Sequence, residues 1–446
     1  MNKSRFIIII FVLAMVALLP ISKNLYAAEE EFIKKGEILT LQRSIEIALK
    51  KQPNILASMY NVNAAQSRIG QARAGYYPQI DLSSGYNRIS SASRSTTGSS
   101  TTNLGTGVDT DDSFDQFTSS ATLRQTIFDF GKTSTQVKVR KLDLDSSRSD
   151  LDNITTQIVF NVKQAYYNVL QANKNKAVSE ETVKQFQQHL DQARGFFEVG
   201  TKPKFDVTKA EVDLSNAKLN LIRSENAIKL ATATLNNAMG IPNAPEYILE
   251  DNLSFVKYDA TFENALSRAY ENRPDMKSVV SRRKAAEELV ELSRKNYFPV
   301  LSGSAGYNWS GEKFQSQQDG WNIGAAVSFP LFSGFLTKYQ VEESKANVDV
   351  QRANEELQKQ SIFLDVQNAY LNLKEAEDRI PVAELSVKQA TENLDIANGR
   401  YSAGVGSPVE VTDAQVAYTN AKTTYIQALS DYKVAQASLE KAMGIR

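Results

Sequence analysis

The chain has 446 residues, and its 51 Lys and Arg balance its 51 Asp and Glu, so the overall charge gives no attraction to nucleic acid or to an anionic membrane surface. Hydrophobic residues make up 42% and the mean hydropathy is −0.36, which excludes a bundle of lipid-immersed helices. The absence of cysteine excludes disulfides, thiolate metal sites and cysteine nucleophiles.

The first residues have the layout of a secretory signal. Lys3 and Arg5 precede an apolar run from Phe6 to Leu19, and small residues follow near Ala27. We expect cleavage after Ala27, which makes residues 1–27 a signal peptide and the mature protein an exported one. A retained anchor helix is the alternative, but the apolar run is short for a membrane span.

The rest of the chain is one unit that occurs twice. Residues 196–215 align without a gap on residues 400–419, and residues 239–241 and 443–445 both have the sequence Met-Gly-Ile. A repeat of this length determines the architecture, because each copy folds as one unit. We expect three parts: repeat 1 over residues 40–242, a linker over residues 243–260, and repeat 2 over residues 261–446.

Each repeat begins with an amphipathic stretch and continues with two strands. The stretches cover about residues 40–74 and 261–296, and we expect each to be a helix that ends before a proline. In repeat 2, apolar residues alternate with small or polar ones from Leu301 to Trp309 and from Trp321 to Leu331. Repeat 1 shows the same alternation more weakly between Phe117 and Ile127.

Four strands of about 10 residues with aromatic residues near their ends suit the wall of a transmembrane β-barrel. A soluble sandwich or a pair of hairpins fits the strands alone equally well. A Ser/Thr/Gly-rich run over residues 89–113 separates the two strands of repeat 1, and we expect it to be an exposed loop.

The long helices decide between these alternatives. Between Gly334 and Gly399 no glycine occurs. Apolar residues recur every seven positions from Val366 to Tyr401, and all of them except Tyr401 are followed by an alanine three positions later. This spacing predicts an antiparallel coiled coil in which the alanines let the helices pack closely. The two rows are Val366, Leu373, Ile380, Val387, Leu394 and Tyr401, and Ala369, Ala376, Ala383, Ala390 and Ala397.

The pattern resumes from Val411 to Ala442 and recurs in repeat 1 from Val207 to Ala238. In the first long helix of repeat 1 it is interrupted at Lys176 and Phe186. A helix of roughly 65 residues is about 100 Å long, which is too long for a compact domain. Pro381 is expected to kink the first long helix of repeat 2.

These elements predict an α+β fold with long antiparallel coiled-coil hairpins, an α-barrel, and four strands per chain in an oligomeric transmembrane β-barrel. Four strands cannot close a barrel, and open sheet edges cannot exist in lipid, so several copies must share one wall. The sequence allows two, three or four copies. We expect a tube in the outer membrane that continues across the periplasm. The alternative is a periplasmic coiled-coil adaptor or scaffold protein, whose strands would face water.

The whole mature chain resembles the TolC-like outer membrane efflux proteins. The resemblance rests on the duplicated plan, on the strand exits Ile127–Gly131 and Pro330–Gly334, and on the duplicated tip motif at residues 197–200 and 401–404. It implies a passive exit duct of an efflux or type I secretion system, a homotrimer in outer-membrane lipid. Its implied partners are a periplasmic adaptor and an inner-membrane pump or ABC ATPase. It implies no enzyme activity and no cofactor, and no catalytic or metal-binding constellation stands out in the sequence.

In that family the hairpin tips form the closed periplasmic entrance, and acids at the tips form a ring in the trimer. The matching acids are Glu410 and Asp413. Asp206 and Tyr401 match the positions at which the family has a hydrogen bond that holds the gate between the two hairpins. The family's arginine at this entrance has no counterpart, because Gly406 occupies its place.

The turn residues of the two tips also have simple local roles. We expect Gly200 and Gly404 to adopt the left-handed conformation that ends a helix. Ser407, Pro408 and Glu410 fit a capping box, with Ser407 as N-cap, proline at the first helical position and Glu410 reaching back to the cap. Glu410 is therefore a candidate cap as well as a candidate gate acid.

Three further residues keep two interpretations each. The sequence leaves open whether Asp413, which lies beyond the capping box, lines the channel or a solvated helix face. Tyr401 continues the heptad row and is alternatively a core residue alone. The single histidine, His189, lies next to the apolar Leu190. We expect its side chain to be solvated or interfacial and assign it no function.

Overall fold

The computed structural model describes residues 33–90, 113–313 and 317–445. The expected signal peptide and most of the expected loop over residues 89–113 lie outside the described residues. Within the described ranges, no helix combines the length and the apolar character needed to span a lipid bilayer.

The two repeats fold with the same order of elements. Strand β1 (Ile38–Leu39) directly precedes repeat 1, which contains α1 (Leu41–Lys51), α2 (Pro53–Arg73), β2 (Gln79–Ser90), β3 (Ser113–Phe128), α3 (Lys132–Glu198) and α4 (Lys204–Met239). The linker and repeat 2 contain β4 (Ile248–Leu249), α5 (Phe262–Asn272), α6 (Pro274–Arg294), β5 (Val300–Gly311), β6 (Gln318–Ser328), α7 (Leu336–Ser402) and α8 (Pro408–Ala442). Helices α3 and α7 have 67 residues each. A helix of that length measures about 100 Å.

Each amphipathic stretch is two helices rather than one. Pro53 and Pro274 occupy the first positions of α2 and α6 and separate them from α1 and α5. The preceding residues, Gln52 and Arg273, have ψ angles of 118° and 124°. A proline ring disfavours the helical conformation in the residue before it. The prediction of a single helix over each stretch is therefore wrong.

The four long strands form one antiparallel sheet in the order β2-β3-β5-β6. Successive side chains of a strand point to opposite faces of the sheet. We call the four residues that are paired with one another across the strands a rung, so neighbouring rungs lie on opposite faces. One rung is apolar and the next is polar, which confirms the predicted alternation. The first rung contains Ile80, Leu123, Ala305 and Ile323, and the second contains Asp81, Thr122, Gly306 and Asn322.

The last strand is shorter than the sequence pattern indicated. Strand β6 ends at Ser328, so Phe329 and Leu331 do not continue its apolar row. Pro330 lacks the amide hydrogen that a ladder needs, and this explains why the pairing stops ahead of it.

The helices lie side by side in the same order as the strands. Near the sheet the order is α2-α3-α6-α7, so each strand continues into the helix beneath it. Further away it is α4-α3-α8-α7, in which α3 and α4 form the first hairpin and α7 and α8 the second. The sheet therefore lies at one end of the molecule and the two hairpin tips at the other.

The heptad rows line the contact between the two helices of each hairpin, as predicted. In α7 all members are buried except Val387 and Ala390, which are half-buried. Phe186 does not interrupt the first hairpin, because it is buried against Leu190 and the α4 residue Leu214. Helix α7 continues through Pro381, and the expected kink stays a prediction.

Midway along the molecule the two repeats share one core, here called the equatorial core. Strands β1 and β4 pair in parallel at this level, a contact that two-residue strands could not reveal in the sequence. The hydroxyl of Tyr166 hydrogen-bonds to the carbonyls of Leu39 at 3.2 Å and Glu250 at 2.8 Å. The hydroxyl of Tyr432 makes two bonds of 2.8 Å to the main chain of residues 256–258. These tyrosines anchor the linker to both hairpins.

Candidate functional site

The sheet has the properties of a membrane wall. On a single chain the side chains of its apolar face are largely exposed, Trp321 and Ile323 to 74% and 75%. Exposed aromatic residues cluster where the strands meet the helices, a position typical of the boundary between lipid and water. They are Tyr76, Tyr77, Phe128, Phe130, Tyr297, Phe298, Phe329, Phe332, Phe335 and Tyr339.

The opposite end of the molecule contains the same turn twice. Gly200 and Gly404 have φ angles of +75° and +78° and end α3 and α7. In each turn, the carbonyl four residues before the glycine accepts hydrogen bonds from the amides one and two residues after it. The two tips are therefore equivalent in backbone, and their differences lie in the side chains.

The start of α8 is capped as expected, but Glu410 does not take part. Ser407 Oγ accepts a hydrogen bond of 3.2 Å from the amide of Val409, and Pro408 is the first helical residue. Glu410 Oε2 instead accepts a bond of 3.2 Å from Arg400 Nε within the same hairpin. A guanidinium is a stronger donor than a backbone amide, which explains why the carboxylate faces the arginine.

The other candidate gate acid, Asp413, lies one turn along α8. Its side chain is exposed on the single chain. In the described part of the molecule it has neither a salt bridge nor a hydrogen bond. Asp413 is thus a free negative charge beside the tip, whereas Glu410 is neutralised by its partner.

Tyr401 joins the two tips of one chain. It is fully buried, and its ring lies 4.8 Å from the ring of His189 and 5.6 Å from that of Phe196. His189 and Phe196 belong to α3 and Tyr401 to α7, so the three rings connect the first hairpin to the second. Burial raises the pKa of the Tyr401 phenol, and the charge of Asp206 raises it further.

The expected bond between Asp206 and Tyr401 is not formed within the chain. Asp206 is only 4% exposed at the start of α4. The Tyr401 hydroxyl has no hydrogen-bond partner among the described residues. The structure thus brings the two residues near each other without joining them.

His189 is interfacial and not solvated. It is only 6% exposed, and its Nε2 has no partner among the described residues. It borders a cavity of about 150 Å³ between the hairpins, which is lined mainly by amide side chains. Burial lowers the pKa of His189, although the negative charges of Asp213 and Asp206 oppose this effect.

Sequence reasoning missed Lys202, which crosses from the first tip to the second. Its Nζ donates to the carbonyl oxygens of Gly404 at 3.4 Å and Gly406 at 3.2 Å, and it lies 5.6 Å from the centre of the Tyr401 ring. The repeat alignment contained the signal, because it places Lys202 on Gly406.

Gly406 itself has no room for a side chain. A Cβ atom there would lie 2.7 Å from the backbone nitrogen of Tyr401 and 2.9 Å from the carbonyl carbon of Arg400. The second tip therefore requires glycine where the resembled family has its arginine, unless the turn changes shape.

Between the equatorial core and the tips, most of the other contacts that join the two hairpins are polar. Near the tips, Gln192 Nε2 donates to Ser402 Oγ at 2.9 Å, and Thr412 Oγ1 donates to Asp213 Oδ2 at 2.8 Å. Further from the tips, Glu181 accepts bonds from Tyr418 at 2.9 Å and Lys422 at 2.6 Å. Although burial acts to raise it, these bonds hold the pKa of Glu181 below its ordinary value.

The chemistry of the tips is one of charge and contact. Across residues 33–90, 113–313 and 317–445, no three His, Asp or Glu side chains are placed to hold a metal ion together. The tips offer the paired acids Asp213 and Glu410, the exposed acid Asp413, the cation of Lys202 and a buried aromatic cluster. Such groups can attract or repel passing ions and can hold two helical hairpins together.

Comparisons with known proteins identify the fold. The family model described as "Outer membrane efflux protein" matches residues 44–241 and 265–445. Outer membrane protein TolC of Escherichia coli is 24% identical over 449 residues, covering 96% of this chain and 86% of TolC. The crystal structure of CusC gives a TM-score of 0.76 at 18% identity over 95% of this chain and 96% of CusC. The Campylobacter jejuni CmeC outer membrane channel gives 0.75 at 18% over 91% and 85%.

The family match and the structural likeness agree with the described architecture, in which a sheet with one apolar face continues into long helical hairpins. The fold class predicted from the sequence is confirmed. The family consists of channel proteins and not of enzymes. The chain belongs to the outer membrane efflux protein family, and it is an exit duct for efflux or type I secretion that lies in the Gram-negative outer membrane with a helical extension into the periplasm.

Proposed function

We propose that three copies of this chain form one passive duct that is gated at the hairpin tips. The observation that carries the proposal is that the sheet of one chain has an unpaired edge at each side. Among the described strands, β2 and β6 are each paired on one side only. Such edges cannot stay open in lipid, so neighbouring copies must pair with them.

The helices support the same assembly. Helix α4 lies at one end of the row and α7 at the other, and each carries exposed apolar residues at seven-residue spacing. A head-to-tail contact between one open side of the chain and the other closes into a ring when it is repeated. The rows are Phe205, Val212 and Leu219 on α4, and Val350, Leu357, Leu364, Leu371 and Leu385 on α7.

The gate is proposed at the tips, where Asp206, Tyr401, Glu410 and Asp413 lie. Three copies would bring three Asp413 side chains around the periplasmic entrance. A ring of unpaired carboxylates attracts cations and repels anions in a narrow opening. Glu410 contributes less charge to this ring, since Arg400 balances it.

Energy and cargo selection would come from partners, namely a periplasmic adaptor and an inner-membrane pump or ABC ATPase. Among the described side chains, the tips offer contacts and charges and no site at which a nucleotide could be held. The exposed apolar face of the sheet disfavours the alternative of a periplasmic adaptor, whose strands would face water.

The Asp413→Asn variant tests the proposed ring. We expect the cation preference of the channel to fall severalfold at low salt, because the exposed carboxylates act on passing ions over the Debye length. Reversal potentials of single channels in planar bilayers measure it. The control is Asp259→Asn, which removes an exposed carboxylate from the linker rather than from the tip. Equal ion selectivity in the parent and the Asp413 variant would reject the ring.

A further inference from the structure

The duplication of the chain puts two different residues at one position of the tip turn. Lys202 in the first hairpin and Gly406 in the second donate their backbone amides to equivalent carbonyls, those of Phe196 and Arg400, at 3.3 and 2.9 Å. The backbone therefore makes the same hydrogen bond at the two positions. Only the first hairpin has a side chain there, and that side chain is cationic.

The lysine side chain leaves its own hairpin. Its ammonium donates to the carbonyl oxygens of Gly404 and Gly406 in the other tip, at 3.4 and 3.2 Å. The Gly404 carbonyl follows the C-terminus of α7, where the helix dipole favours a positive charge. The same ammonium lies 5.6 Å from the centre of the Tyr401 ring, within the range of a cation–π contact. One side chain thus makes three contacts across the tips.

In the described residues, apolar contact between the tips is confined to the rings around Tyr401. Apart from the contacts that the His189 and Phe196 rings make with Tyr401, the buried apolar residues described for the first tip and for the second tip form two separate clusters. Separation of the tips would therefore break one aromatic cluster rather than a shared core, and polar groups such as Lys202 contribute the rest of the contact.

We propose that Lys202 is a latch, a positioning residue that ties the tip of the first hairpin to the tip of the second within each chain and so favours the closed entrance. The proposal rests on the proposed gate at the tips. It assigns to the first repeat a cation at the turn position where Gly406 leaves no room for one in the second. Lys202 binds main-chain carbonyls of its own chain, so the strength of the latch does not depend on which cargo passes.

The test compares Lys202→Met with Lys204→Met in the full-length protein. Both variants remove one positive charge from the same tip. Lys204 is exposed, and no contact of its side chain is present in the described residues, so its loss should matter only through charge. Lys202→Arg keeps the charge and the donors and should behave like the parent. A normal yield of folded oligomer in each variant excludes misfolding as the cause.

Two readouts separate the latch from the gate. The chain has no cysteine, so Val199→Cys and Ala403→Cys, at exposed equivalent positions of the two turns, can carry a pair of spin labels. Spin-diluted samples then report the distance between the two tips of one chain. Single-channel recording reports the open fraction of the duct.

We expect Lys202→Met to lengthen and broaden the distance between the tips and to raise the open fraction about tenfold, as the loss of one charge-assisted hydrogen bond implies. Lys204→Met and Lys202→Arg should change neither. An unchanged tip distance in Lys202→Met, or the same change in Lys204→Met, overturns the latch. A longer distance with unchanged conductance supports the latch and instead rejects the gate at the tips.

Discussion

The equator and the tips are built on the same heptad pattern, yet different forces hold the two hairpins together there. At the equator both hairpins and the linker share one apolar core, and Tyr166 and Tyr432 fix the linker to it. At the tips each hairpin keeps its own small core, and the apolar contact described between them is limited to the rings around Tyr401. Burial of a large side chain contributes about 1.5 to 3 kcal/mol, whereas exposed polar pairs contribute about 1 kcal/mol or less. The tips can therefore separate while the equator stays closed.

The largest expected effect comes from the same truncation made in both places. Tyr166→Ala at the equator should lower the free energy of unfolding by about 4 kcal/mol, because it leaves a cavity and removes the hydroxyl that donates to the Glu250 carbonyl. Tyr401 is equally buried, but Tyr401→Ala should cost less than half as much. Its loss opens only the tips, a local transition below global unfolding.

Urea unfolding of both variants in detergent, followed by circular dichroism, measures this difference. Tyr166→Phe is the control for the ring alone, and it should recover most of the loss since only the hydrogen bonds are missing. Equal losses in Tyr166→Ala and Tyr401→Ala would mean that tips and equator unfold as one unit.

A smaller effect is expected from pH at the tips. Burial lowers the pKa of His189 in the closed tips, so the separated state binds more protons as the pH falls. The closed state therefore has its full stability above the ordinary histidine pKa and loses it as the pH falls through the lowered value. The neighbouring charges act in both directions, Asp213 and Asp206 against this shift and Lys209 with it.

Open fractions of single channels recorded between about pH 7.5 and about pH 5.5 test the prediction. We expect the parent to open more often at the acidic end. The His189→Gln variant keeps a polar side chain that does not titrate, and its open fraction should change less over the same range. The same pH response in both proteins would assign it to other groups.

The repeating features of the molecule could be predicted from the sequence because they follow a period. The heptad rows and the alternating strands each repeat a physical requirement many times, so single exceptions such as Phe186 do not hide them. The features that were missed depend on single contacts between distant residues. The pairing of β1 with β4 and the reach of Lys202 to the second tip have no period.

The sequence predicted where the candidate site lies, but not most of the contacts that its side chains make. The duplicated motif located both turns and the glycines that end α3 and α7. The partner of Glu410 could not be predicted, because a capping box and an arginine on the facing helix compete for the same carboxylate. The environment of His189 also depends on how two hairpins pack, which neither hairpin's own sequence specifies.

Hydrogen exchange along α3 tests the central claim most directly, because one continuous helix passes from the equator to the tips. Residues 162–170 lie in the equatorial core and residues 186–193 in the core of the first tip, and both segments are away from the helix end. We predict that amides of residues 186–193 exchange at least about tenfold faster than those of residues 162–170, because the small core of the tip lets its helical turns unfold locally more often than the equatorial core does. Equal protection of the two segments would contradict the account.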